Sequence, residues 1–226
     1  MTSTSSLDHI DLNDIPPLKP KLRGVIHQYS FFISLIFGPL MIWRTVSEEL
    51  VFATTIYSLS VSLLFGTSAL YHRINWSEKP RMWMRRLDHT MIFVLIAGTY
   101  TPLVYTKIDP EMSRLVLNVV WWSVGLGALL KLGWPQAPKW LSALIYCALG
   151  WFALVPFPAL YEQWGWGCVG WLIAGGILYT MGVLAYVFKR PNLVKNIFGY
   201  HELFHSFVVL AAACHYLSIA YIAWSF

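Results

Sequence analysis

A chain of 226 residues that is 57% hydrophobic and 12% charged, with a mean hydropathy of +0.56, is not an ordinary soluble domain, where about a quarter of residues are charged. The apolar content runs through the whole length, which excludes a soluble domain on one anchor and predicts a single polytopic bundle. The formal net charge of +5 does not mark a nucleic-acid binder, because the basic residues cluster between apolar runs and not on one polar face.

Residues 1–22 hold Asp8, Asp11, Asp14, Pro16, Pro17 and Pro20 and no apolar run. They are expected to form a short polar cytoplasmic tail, not a signal peptide. Residues 23–226 form the membrane domain. At about 20 residues per crossing, seven helical spans are predicted at 24–43, 50–71, 88–106, 114–132, 140–159, 168–188 and 201–224. Pro156 and Pro158 are expected to kink or end the fifth. With this division, 13 of the 16 Lys and Arg residues fall on one side of the membrane. Only Arg44, Lys107 and Arg114 fall on the other. The positive-inside rule then predicts a cytoplasmic N-terminus and an outside C-terminus. The three cysteines, Cys147, Cys168 and Cys214, have no CxxC spacing and read as small apolar residues.

Ionisable side chains inside spans are costly and face other protein when they occur. His201 and His205 are one helical turn apart at the start of span seven, so both imidazoles lie on one face. Span two ends at the same membrane depth with His72, preceded one turn earlier by Ser68. Span three begins there with Asp88. Alternation of the spans thus delivers three histidines, a carboxylate and a hydroxyl to one level. Three neutral imidazoles with one open position form a catalytic zinc arrangement, although imidazole also suits copper, nickel and iron. His201-Glu202-Leu203-Phe204-His205 also spells HExxH, the zinc-peptidase motif. The third histidine of its extended form would fall at Ala211, so that reading is set aside. Glu202 is taken as a polar residue favoured at a helix start. Asp88 has a bland alternative as a cap or a partner of Arg85 or Arg86. His215 lies about 15 Å deeper along the helix than His205, and nothing in the spacing of His27 or His89 makes them ligands. His9 lies in the tail.

Three stretches, Ser68-Ala69-Leu70-Tyr71-His72, Arg86-Leu87-Asp88-His89 running on through Ala97-Gly98-Thr99-Tyr100-Thr101-Pro102, and His201 to His205, resemble the hemolysin III group of the progestin and adipoQ receptor (PAQR) family. Gly24-Val25-Ile26-His27 is similar to the start of that family's first span. The resemblance covers residues 20–224. It implies an all-α seven-helix membrane bundle with the N-terminus inside and a Zn2+ site at His72, His201 and His205. It also implies that Ser68 and Asp88 hold or activate a water there. The stretch ahead of span one is short, as in the bacterial type, which implies a cell (inner) membrane location. The expected function is a zinc-dependent, ceramidase-like hydrolase of lipid amide or ester bonds with a role in membrane homeostasis. A membrane lipid would be its substrate or ligand. The rivals are a non-enzymatic membrane-state sensor with a structural zinc and a hemolysin-like cytolysin.

Overall fold

The computed structural model describes residues 19–105, 108–134 and 137–225. Most of the predicted tail, with His9, and also Lys107 lie outside the described residues. Seven helices follow one another: α1 Val25–Arg44, α2 Glu48–Arg73, α3 Glu78–Val104, α4 Pro110–Gly133, α5 Lys139–Trp151, α6 Phe157–Phe188 and α7 Tyr200–Ser225. Six of them are long and apolar enough to cross a membrane. The exception is α5, with 13 residues, which runs on into a 3-10 turn at Phe152–Leu154.

The pattern on α1 is the reverse of that on a soluble helix. His27, Ser30, Ser34, Gly38 and Met41 face inward at three- and four-residue spacing, while Phe32, Ile33, Ile36 and Trp43 are exposed. Small and polar residues inside with large apolar ones outside is the arrangement that packs helices closely and meets lipid outside. On α4 the start is chemically marked: Pro110 opens the helix, and the Asp109 carboxylate accepts the Met112 N–H at 2.8 Å, satisfying one of the free amides of the first turn.

The predicted spans at 24–43, 50–71, 114–132 and 201–224 coincide with α1, α2, α4 and α7 to within a few residues. The third does not begin at 88 but at Glu78, because Glu78-Lys79-Pro80-Arg81 through Arg86 continues the helix beyond its apolar part. Hydropathy marks where a helix enters lipid, not where its backbone hydrogen bonds begin. The fifth ends well before 159: prolines at 156 and 158 cannot extend it, and the chain turns into α6 at Phe157. Within α6, Gly165 adopts φ 60° and ψ −162°, a conformation open essentially to glycine. The part of α6 after this break corresponds to the predicted sixth span.

The bundle has two unlike ends. At one, the starts of α1, α3 and α7 meet the end of α2, and the turn before α1 is held by Lys21 N–H to Asn196 O at 3.1 Å and Leu22 N–H to Ile197 O at 3.3 Å. At the other, Val46 N–H reaches Ala223 O at 3.0 Å, and the Arg44 guanidinium lies 5.4 Å from the Trp224 ring centre. Met41, Leu50, Tyr57, Ile219 and Ile222 pack there into a fully buried cluster.

Candidate metal centre

His72 sits on the last turn of α2, and His201 and His205 on the first turns of α7. The expected convergence of these side chains is found. One nitrogen from each ring lies within 4.8 Å of the others, and His72 Nε2 is 3.2 Å from His201 Nε2. Tetrahedral zinc with Zn–N bonds of 2.0–2.1 Å sets its nitrogens about 3.3 Å apart. One pair is therefore already at that spacing. His205 and His72 are buried, and His201 is partly so. His205 Nδ1 is buried with no hydrogen-bond partner, a state that buried polar atoms seldom keep. It fits an imidazole whose task is to give a lone pair to a cation. The donor set, all imidazole, suits zinc, copper, nickel or iron.

The backbone makes room for this cluster at Gly24, which precedes α1 with φ 77°. A Cβ there would stand 2.6 Å from the Cβ of His72. Only glycine allows both the left-handed turn and the close approach.

Ser68 is buried one turn before His72, and Asp88 is half-buried on α3. Ser68 and Asp88 stand beside each other across α2 and α3. Both line the same cavity as the three histidines, a space of about 1270 Å³. All five sequence-predicted residues therefore face one volume. This cavity shares Leu64, Ile92, Tyr146, Val183, Phe204 and Val208 with a second, apolar cavity of about 150 Å³. His215 lines the apolar cavity, with Nε2 3.4 Å from Leu172 O; it is not part of the cluster. The three cysteines are free, and Cys168 Sγ lies 3.2 Å from Ser218 Oγ.

Glu202 is where the sequence reading falls short. It is not merely a favourable charge at a helix start: its side chain is 1% exposed, accepts Arg23 Nε at 2.5 Å and also accepts Gly199 N–H at 2.8 Å. It does not line the cavity. The carboxylate ties the chain before α1 to α7, and that occupation argues against a peptidase base. A second unforeseen neighbour is His27. Its ring stacks on His205 with centres 3.8 Å apart and planes 5° from parallel, and both its nitrogens are buried without partners. Arg23 and His27 are four residues apart, on either side of the left-handed Gly24 that precedes α1; nothing in the chain says what either side chain meets. Tyr186 of α6, 5.6 Å from His201 between ring centres, completes the wall.

The haemolysin-III-related family model matches residues 17–216. The chain belongs to this family. The hemolysin-3 homolog of Bacillus subtilis is 30% identical over 168 residues, 74% of this chain and 75% of the relative. Hemolysin-3 of Bacillus cereus is 30% identical over 171 residues, 76% and 75% of the two chains. The adiponectin receptor protein of Drosophila melanogaster is 27% identical over 194 residues, 78% of this chain but 43% of its own. These place the protein in the hemolysin III group of the PAQR family, as an integral, multi-pass membrane protein with a histidine cluster able to hold a metal ion.

Proposed function

We propose that His72, His201 and His205 hold a zinc ion, and that this hemolysin III protein hydrolyses an amide or ester bond of a membrane lipid. The observation that carries the reading is the position of the three imidazoles: they line a large cavity that shares six wall residues with a second, apolar one. That layout suits a lipid with its head beside the cluster and a chain in the apolar part. Zinc, when bound, supplies a Lewis acid for the substrate carbonyl and lowers the pKa of a water to about 7. The Asp88 carboxylate takes the proton of the attacking water and returns it to the leaving nitrogen or oxygen. The Ser68 hydroxyl, on the same cavity wall as Asp88, orients that carboxylate or the water it acts on. The apolar walls exclude bulk water from the reacting bond.

The same reading takes α5 as a seventh crossing, with the N-terminus cytoplasmic, the C-terminus outside and the cluster near the cytoplasmic face of a bacterial inner membrane. A cysteine placed at Ser77 is then labelled only from the cytoplasm and one at Gln163 only from outside, in a variant without the native cysteines. The reverse pattern overturns the orientation.

A second reading, a sensor with a structural metal, draws on the clamp that the histidines and the Arg23–Glu202 pair make between α2, α7 and the start of α1. A structural zinc site ordinarily has four protein ligands; this cluster offers three. A cytolysin, after the printed name of the Bacillus cereus relative, is less well supported by helices that close on one another. The deciding experiment incubates purified, zinc-loaded protein with a lipid extract and follows products by mass spectrometry. Stoichiometric zinc with no lipid turnover sinks the hydrolase and leaves the sensor.

A further inference from the structure

Lys131 lies in Ala128-Leu129-Leu130-Lys131-Leu132, an apolar run that offers an ammonium no local partner. The structure buries it: it is 6% exposed. Its Nζ donates to Ser142 Oγ at 2.5 Å and stands 5.9 Å from the Tyr146 ring centre. Ser142 and Tyr146 are one turn apart on α5, so one face of that helix receives the cation. Among the described residues, no carboxylate forms an ion pair with it. A hydroxyl and a ring compensate a desolvated charge only in part. Buried cations in membrane proteins are costly and mark ligand or ion sites.

Lys131, Ser142 and Tyr146 line the same cavity as the histidine cluster. Arg81 and Arg85, one turn apart on the extended start of α3, line it too, and both are exposed at its rim. Among the described residues, Asp88 is the one carboxylate in a lining that also includes Lys19 and Arg23, and Arg23 is already paired with Glu202. The charged part of the wall is strongly positive, and the same cavity shares wall residues with an apolar one.

We infer that Lys131, with Arg81 and Arg85, binds the phosphate of an anionic lipid head group. The inference rests on the reading above that a membrane lipid enters the cavity, and it names the class of that lipid. A phosphate monoester carries up to two negative charges and three acceptor oxygens, enough for an ammonium and two guanidinium forks at once. A neutral head group would leave the Lys131 charge compensated only by Ser142 and the Tyr146 ring.

The test measures binding to zinc-loaded protein in uncharged detergent, by thermal shift and native mass spectrometry. The probes are an ether-linked lysophosphatidate, the ether-linked glycerol lipid with the same chain and no phosphate, and inorganic phosphate. Ether linkages keep the readout independent of hydrolysis. The lysophosphatidate is expected to bind about 10–100-fold tighter than the neutral lipid, the worth of a hydrogen bond to a charged group. Lys131→Met should remove that preference, leave neutral-lipid binding unchanged and retain zinc. Arg81→Gln, on the exposed rim, should narrow the preference by a smaller factor and gives the same test if Lys131→Met does not fold. Equal affinity for the two lipids, or an undiminished preference in both variants, overturns the inference. Inorganic phosphate protecting as well as the lysophosphatidate overturns the lipid source. Loss of zinc from the wild type marks failure of the metal reading instead.

Discussion

The two ends of this bundle are built from the same helices to opposite purposes. At the end where α1 turns into α2 and α7 finishes, Met41, Leu50, Tyr57, Ile219 and Ile222 are 0–1% exposed and pack against one another. At the end where α1, α3 and α7 begin, the interior holds histidines, an aspartate, a lysine and a cavity of about 1270 Å³. Filled packing stores stability, whereas an open polar interior spends it on holding ligands in place. Substitutions at the two ends should therefore separate stability from metal binding and chemistry.

The largest effect expected is at the cluster. His205→Ala removes one of three ligands, and zinc should fall from about one per chain to a trace by elemental mass spectrometry. Glu202→Gln, one residue from His201 but turned toward Arg23, should retain zinc and lower thermal stability, since it leaves the guanidinium without its charge partner. If Glu202→Gln loses metal as His205→Ala does, the division of labour within the HExxH sequence is wrong. Next in size is Asp88→Asn. The amide is nearly isosteric and leaves all three imidazoles, so zinc stays, but an amide does not take a proton at neutral pH. Lipid hydrolysis per folded molecule should drop about 10²–10⁴-fold. Unchanged activity with retained zinc removes Asp88 from the chemistry.

The comparison also explains what the sequence could and could not disclose. Spans α1, α2, α4 and α7 are legible because lipid contact demands long apolar runs; their alternation alone brings His72, His201 and His205 to one level, and the donor types and the family resemblance point to their meeting there. Arg81 and Arg85 were read as topological charges; that α3 begins at Glu78 and carries them to the cavity rim leaves no mark in hydropathy. The ion pair of Arg23 with Glu202 and the stack of His27 on His205 each join residues nearly 180 positions apart. Local spacing cannot announce such pairings. Lys131 is among the charges that topology puts on the cytoplasmic side, and only its reach from the end of α4 to Ser142 of α5 shows it drawn inside.

At the packed end, Ile222→Ala deletes a side chain that is 1% exposed. The missing atoms leave a void whose lining loses its contacts, and in lipid this packing term carries most of the loss. A destabilisation of about 2 kcal/mol is expected, read as a lower unfolding temperature, with zinc stoichiometry unchanged. A parallel loss of zinc would mean that the two ends are coupled and the contrast between them is false.

The smallest effect is expected where backbone geometry serves the site. Gly24→Ala must hold a left-handed φ of 77°, at a cost of about 1–2 kcal/mol, and its Cβ would meet that of His72 at 2.6 Å. Since both contacts are backbone-proximal, neither relaxes by a rotamer change; the turn before α1 must move away, or His72 must. Either movement shifts an imidazole that one turn of α2 has set against His201, so zinc affinity should fall several-fold while the ion still binds. Gly38→Ala is the matched control. There a Cβ would stand 3.2 Å from Ser58 Cβ, again between α1 and α2, but in ordinary helical backbone and away from the cavity lining. It should cost stability by helix separation and leave zinc affinity as it is. Titration of both variants with a competing chelator separates the outcomes: equal affinities would show that the tight approach of Gly24 to His72 positions the helices and not the metal ligand.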